Sequence, residues 1–199
     1  LDNSLSYDLS KLILSRNYSL DEINELENEI QLNNPFLENN DFLKARNLLI
    51  KNIKKKELVL VYGDYDVDGV CSTAILVNFL NYIKNPNYYL IPNRFNDGYG
   101  PNLDLIKKNL KKNTKIVIFV DCGSNSTKII NFLKKNNIEV LIIDHHHINN
   151  ELASTLNIIN PMKNPKDYMG QNICAAALTF YLINLLNNKL KKKINIYDF

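Results

Sequence analysis

Short apolar runs, each closed by a Gly, an acid or a polar turn, recur through the second part of this chain. They lie near residues 58–62, 88–91, 116–120, 139–143 and 157–159. The runs are rich in Val, Ile and aromatic residues, do not alternate with polar positions, and are too short to be helices. That pattern predicts strands buried on both faces, as in a parallel sheet. The intervening segments near 70–83, 102–111, 125–136 and 171–189 carry helical patterning. Strands alternating with helices imply right-handed βαβ units. The expected fold class is α/β, a doubly wound, mainly parallel sheet of about five strands with helices on both faces.

Residues 1–56 show no strand pattern and read as helices. Ser19-Leu20-Asp21-Glu22 has capping-box spacing ahead of Ile23, Leu26 and Ile30, and Asn33-Asn34-Pro35 ends that helix. A third helix is expected over about 41–55, with Phe42, Ala45, Leu48, Leu49 and Ile53 inward. Lys54-Lys55-Lys56 falls in its last turn, where cations favour the helix dipole, and reads as a solvated end. The expected organisation is an N-terminal helical segment, 1–56, followed by an α/β domain, 57–199.

Composition narrows the picture a little. The net charge of +3 permits nucleic-acid binding without demanding it. Cys71, Cys122 and Cys174 show neither disulfide nor zinc spacing and read as reduced thiols, which suits a cytoplasmic protein. No apolar stretch approaches the ~20 residues needed to cross a membrane, and no signal peptide is evident. Asn195-Ile196-Tyr197-Asp198-Phe199 reads as a cut and not as a natural terminus.

The chemistry is concentrated where strands end. The first strand runs into Gly63-Asp64-Tyr65-Asp66-Val67-Asp68-Gly69, the third into Asp121-Cys122-Gly123, the fourth into Asp144-His145-His146-His147. Ligands of open α/β sheets bind at these carboxyl ends. Five carboxylates and two or three imidazoles are therefore expected on one rim. Divalent cations are the simplest relief of that repulsion.

Asp64, Asp66 and Asp68 alternate, so an extended segment would point them to one side. Gly69 would then open a helix whose free N–H groups face an anion. Ile75 stands where an EF-hand requires Glu, which excludes that motif. Clustering of all three histidines behind a strand-end Asp points to metal or phosphate contact for His145 and His146, with His147 a solvated loop residue. Imidazole ligation would favour Mn²⁺ over Mg²⁺ somewhat. Cys122 has no separate histidine base and reads as a small buried packing residue. In Pro92-Asn93-Arg94-Phe95-Asn96-Asp97-Gly98-Tyr99-Gly100, two glycines around a tyrosine indicate a shaped loop. There Arg94 could hold phosphate and Tyr99 could stack on a base.

Tyr62-Gly63-Asp64-Tyr65-Asp66-Val67-Asp68-Gly69, Val120-Asp121-Cys122-Gly123 and Asp144-His145-His146 resemble the DHH phosphoesterase superfamily. Pro92-Asn93-Arg94-Phe95 with Gly98-Tyr99-Gly100, and Asn160-Pro161, look like its RecJ branch of 5′→3′ single-strand-specific exonucleases. The resemblance runs from about residue 9 to the end. It implies that Asp66, Asp68, Asp121 and His145 ligate one or two Mn²⁺ or Mg²⁺ ions, with Asp121 bridging. It implies that His146 contacts the scissile phosphate while Asp64 and Asp144 support the site. Arg94, Gly98, Tyr99, Gly100 and Gly69 would contact substrate. The implied activity is DNA repair and recombination on single-stranded DNA, by a monomer working near a single-strand-binding protein or helicase.

Two departures accompany the resemblance. Ala175-Ala176-Ala177 stands where the family has a glycine-rich stretch. A further Asp ligand and a C-terminal substrate-binding domain are expected beyond residue 199, so residues 1–199 alone are expected to be poorly active. Other readings are a DHH phosphodiesterase acting on oligoribonucleotides or cyclic dinucleotides, and a non-catalytic replication scaffold. The small-substrate enzymes usually carry His where this chain has Tyr62, and scaffolds usually lose their ligands.

Overall fold

The structure, a computed structural model, describes residues 7–19, 33–149, 157–168 and 173–190. The chain divides into two compact units, Leu1–Asn33 and Asn34–Phe199. In the first, α1 spans Tyr7–Ser15. The capping-box helix expected after Ser19 lies outside the described residues.

The second unit opens with α2, Asn40–Lys54, capped by the Asn39 side chain, which accepts from the N–H groups of Asp41 and Phe42. Phe42, Ala45, Leu49 and Ile53 are buried in the same apolar cluster as the strands. The division therefore falls before α2, not at residue 56: this helix has an apolar stripe that the sheet covers.

The remaining elements alternate. β1 is Leu58–Gly63, α3 Val67–Tyr82, β2 Asn87–Leu90, α4 Leu103–Asn109 and β3 Thr114–Val120. They are followed by α5 Thr127–Lys135, β4 Glu139–Ile143, β5 Asn157–Ile159, a 3₁₀ turn Pro165–Tyr168 and α6 Ala175–Leu190. The five described strands pair in parallel in the order β2-β1-β3-β4-β5. Alternate strand residues face opposite cores. Val59, Val61, Ile116 and Ile118 pack with α2, α3 and α6; Leu60, Tyr62, Val117 and Phe119 pack with α4 and α5. Burial on both faces is why the strand sequences show no polar alternation.

This strand order reverses between β1 and β3. Neighbouring helices leave to opposite faces there and open a crevice at the strands' carboxyl ends, the usual ligand site of such sheets. Asp64 follows β1 and Asp121 follows β3, one on each side of the crevice.

Candidate metal centre

The acidic loop is not extended throughout. α3 begins at Val67, three residues before the expected start, because Asp66 is its N-cap and accepts from Gly69 N–H at 3.0 Å. Asp68 thus lies in the first helical turn, and the expected alternation of Asp64, Asp66 and Asp68 on an extended segment is corrected. Gly69 is corrected too, since Asp66 takes its N–H and leaves it unavailable to an anion. Its need for glycine is steric: a Cβ there would lie 2.4 Å from Asp64 O.

Asp121 ends β3 with φ 60°, a left-handed conformation that a non-glycine residue adopts at some cost. Its N–H is held by Ile143 O at 2.8 Å. The turn carries its carboxylate into the crevice, where Oδ1 lies 3.2 Å from His145 Nε2 and 3.9 Å from His146 Nδ1. Two sets of donor atoms converge there: Asp121 with His145 and His146, and Asp121 with Asp64 and Asp66, each set within 4.8 Å. Asp121 belongs to both.

The donors fit a divalent cation. Both oxygens of Asp64 and of Asp121 are buried without a hydrogen-bond donor in bonding geometry. Unpaired buried carboxylates are strongly disfavoured. Burial, and then the charges of Asp68 and Asp66, push the Asp121 carboxyl up to about 9. Burial also raises Asp64, against the N–H groups of Tyr65 and Gly100. Asp66 is lowered, chiefly by the Gly69 N–H. Carboxylate oxygens with imidazole nitrogens are a hard-to-borderline set, suited to Mn²⁺ or Mg²⁺.

Asp68, expected as a ligand, has a second engagement that sequence reasoning missed. Its Oδ2 accepts from Ala175 N–H and its Oδ1 from Ala176 N–H, both at 2.8 Å, which caps α6. Oδ2 nevertheless lies 3.4 Å from His145 Nε2. Asp64, expected only to support the site, stands instead among the convergent donors.

Asp144 is engaged by the histidine loop and by Ser124. Its Oδ1 accepts from the backbone N–H groups of His145 and His146, at 2.8 and 3.1 Å, and its Oδ2 from Ser124 N–H at 3.2 Å. Oδ1 also meets His146 Nδ1 at 2.8 Å. Burial would raise this carboxyl, but the His146 ring, Ser124 and the His146 amide outweigh it and hold it at about 2. The Asp144 hydrogen bond in turn raises His146 to about 9, which favours the protonated ring. His146 Nε2 faces Tyr99 Oη at 3.0 Å.

Tyr99 stands in the shaped loop, between Gly98 at φ 79° and Gly100 at φ 75°. The loop is locked from inside: Tyr62 Oη donates to Gly100 O and accepts from Asn102 N–H. Arg94 is exposed, its guanidinium 5.7 Å from the Tyr65 ring centre, and Tyr65 packs edge-on against Tyr99. A pocket of about 250 Å³ opens beside His146, lined by Tyr99, Gly100, Gly123, Ser124 and Asn125 among others. Two asparagines clamp the histidine loop. Asn160 Nδ2 donates to His146 O and Ser124 Oγ, and Asn125 Nδ2 to His147 O. Asn160-Pro161 was visible as a motif, but nothing in its spacing told which loop Asn160 holds. His147 is exposed, and Cys122 is buried with its thiol pushed up by burial.

Residues 58–198 match the family described as DHH family, N-terminal domain. The chain belongs to the DHH family. Among similar proteins is RecJ of Haemophilus influenzae, named a single-stranded-DNA-specific exonuclease, 30% identical over 75% of this chain and 26% of the relative. The RecJ of Escherichia coli, of the same name, is 28% identical over 84% of this chain and 29% of the relative. This DHH chain therefore spans between a quarter and a third of the length of those curated relatives. A crystal structure of an exonuclease RecJ bound to manganese superposes with a TM-score of 0.67 at 26% identity, over 81% of this chain and 39% of that one. The α/β fold of this DHH chain is that of the manganese-bound RecJ. Among the described residues, no helix is long and apolar enough to cross a membrane.

Proposed function

We propose that this DHH chain carries the metal centre of a phosphodiesterase that degrades single-stranded DNA from its 5′ end, in DNA repair and recombination. The carrying observation is Asp121, shared between two convergent donor sets while its oxygens lie buried without a hydrogen-bond donor. Asp64, Asp66, Asp68, Asp121 and His145 would hold one or two Mn²⁺ or Mg²⁺ ions. Bound there, such ions supply an activated water and neutralise charge on the reacting phosphate. The RecJ relatives and the manganese-bound RecJ support this reading.

The chain's own groups do the rest. Asp144 orients His146 and keeps it protonated, so Nε2 can donate to a phosphate oxygen once Tyr99 Oη gives way. Tyr99 and Tyr65 offer ring faces to bases, which any base sequence can use. Arg94, exposed beside Tyr65, is placed for a backbone phosphate.

The test compares 5′-phosphorylated single-stranded DNA, blunt duplex and a cyclic dinucleotide as substrates of the full natural chain containing these residues, with Mn²⁺ binding followed by calorimetry. Mn²⁺-dependent hydrolysis of the single strand well above the duplex supports the proposal. Preference for the dinucleotide would favour the small-substrate reading; Mn²⁺ binding without hydrolysis of any of them would favour the scaffold.

A further inference from the structure

The positive charge of the second unit gathers at the end of the sheet opposite the carboxylates. Lys107 and Lys108 stand in the last turn of α4, and Lys134 and Lys135 in the last turn of α5. Lys111 and Lys112 follow the Leu110 cap of α4, and Lys115 lies at the start of β3. All seven are exposed. From residue 105 to 138 the sole carboxylate is Asp121, at the far end of β3. Asp104 approaches Lys107 at 4.0 Å, and Glu139 is taken by Lys51 at 2.7 Å and Asn52 at 2.8 Å.

Helix dipoles account for lysines in the last turns of α4 and α5. They do not account for Lys111, Lys112 or Lys115, which lie outside those helices. Lys115 is aimed outward by a register shift: Leu58 pairs with Thr114 and Val59 with Ile116, which leaves Lys115 exposed between two buried neighbours. Some of the charges are fixed in place. Lys111 Nζ sits 4.4 Å from the Tyr88 ring centre, and the Tyr88 hydroxyl is held by Thr114 Oγ1 at 2.7 Å and by Lys111 N–H at 3.1 Å. Lys107 Nζ lies 5.6 Å from the Phe132 ring centre. Cation–π contacts of this kind hold an ammonium where it still faces solvent.

We propose that this lysine edge is a second, sequence-independent binding site for the phosphate backbone of single-stranded nucleic acid. It holds a part of the strand remote from the Asp121 crevice. The choice of strand rests on the function proposed above; the charge arrangement does not. An acidic peptide fits less well, because β3 is interior to the sheet and offers no free edge, and the edge has no arginine fork. β3 is seven residues long. At about 3.3 Å per residue the two sites are separated by roughly 23 Å. Four stacked nucleotides, at about 3.4 Å each, cannot reach both, whereas twenty can.

The test is a quadruple variant, Lys111→Ala with Lys112→Ala, Lys134→Ala and Lys135→Ala, none of which belongs to the metal centre. Fluorescence anisotropy follows a 20-nucleotide and a 4-nucleotide oligothymidine across salt, with divalent metal chelated so that nothing is cleaved. In the variant, affinity for the 20-mer should fall at least tenfold. The slope of log K against log salt should flatten by about 0.7 for each lysine that contacted phosphate, up to roughly 3 in all. Mn²⁺ affinity by calorimetry should not change, and the 4-mer, bound at the lysine edge alone, should lose affinity with a flatter salt slope as well. An unchanged 20-mer affinity and slope would overturn the proposal. So would displacement of the 20-mer by a 20-residue polyglutamate at equal concentration, which would make the partner an acidic polypeptide. Because binding is read without metal, absence of hydrolysis in the wild type would count against the phosphodiesterase reading and not against this site.

Discussion

Asp144 Oδ1 lies 2.8 Å from His146 Nδ1 and also accepts from the His146 backbone N–H, so one carboxylate fixes both the ring and the loop that carries it. The engaged Nδ1 leaves Nε2 as the outward donor. Replacing Asp144 with Asn should lower the His146 pKa from about 9 toward its ordinary 6.5, read by NMR titration of metal-free protein. The folded pKa of His146 is raised, so its contribution to stability is complete below about 6.5 and is lost as pH rises through about 9. Asp144, held at about 2, contributes above its ordinary 3.8. The Tm deficit of Asp144→Asn should therefore be largest between pH 4 and 6.5 and narrow toward pH 9. An unshifted His146 titration would refute the pairing.

Asp121 has the opposite sign. Its folded pKa is raised from 3.8 to about 9, so metal-free stability declines as pH rises above about 4. Asp121→Asn removes that penalty and keeps a residue that tolerates the φ of 60°. In chelator at pH 8 its Tm should exceed the wild type by several degrees, at about 2–4 °C per kcal/mol for a chain of this size. The gap should close near pH 4. Added Mn²⁺ should raise the wild-type Tm, by linkage, but not that of the variant. A lower Tm for the variant in chelator would contradict the buried-charge account.

Asp68 serves a helix as well as the crevice. Asp68→Ala should weaken Mn²⁺ binding and also speed hydrogen exchange at Ala175 and Ala176, whose N–H groups it accepts. Loss of a cap of this kind costs about 1–2 kcal/mol. Asp68→Asn retains one acceptor oxygen and should give intermediate protection. Unaltered exchange at both amides would show that the cap is not formed in solution.

Gly69 and Gly98 separate space from backbone conformation. At Gly69 an added Cβ would meet Asp64 O at 2.4 Å and Asp64 N at 2.7 Å, main-chain atoms that cannot yield without moving the acidic loop. At Gly98 nothing lies within 4 Å, and the obstacle is its φ of 79° alone. Gly98→Ala should cost about 1 kcal/mol, while Gly69→Ala should cost at least ~2 kcal/mol and impair Mn²⁺ binding. Equal thermal melts for the two variants would refute the close approach.

Most elements are legible within two residues because each strand run is bounded by turn chemistry and helices such as α2 and α5 carry an apolar stripe, whereas α6 begins at Ala175, four residues after its expected start. α3 begins three residues before its expected start. Gly69 looks like a helix breaker in isolation, and the cap from Asp66 and the tight fit against Asp64 that explain it involve neighbours in space. The helix Asn40–Lys54 shows its apolar stripe in the sequence but not its partner, the sheet of the second unit.

Sequence alone determined the strand-end acids, the histidine cluster and the parallel sheet, since periodicity and turn residues are local properties and parallel strands necessarily end on one rim. Tertiary structure decided the division of labour among those residues. It made Asp121 the shared donor and took both oxygens of Asp68 into the first turn of α6 across 107 and 108 positions. It set Asp64 among the donors and placed Asn160 behind His146. Those outcomes depend on which side chains crowd together and which remain without a hydrogen-bond partner. Burial and distance across the fold decide both, and neither is written in the spacing of residues along the chain.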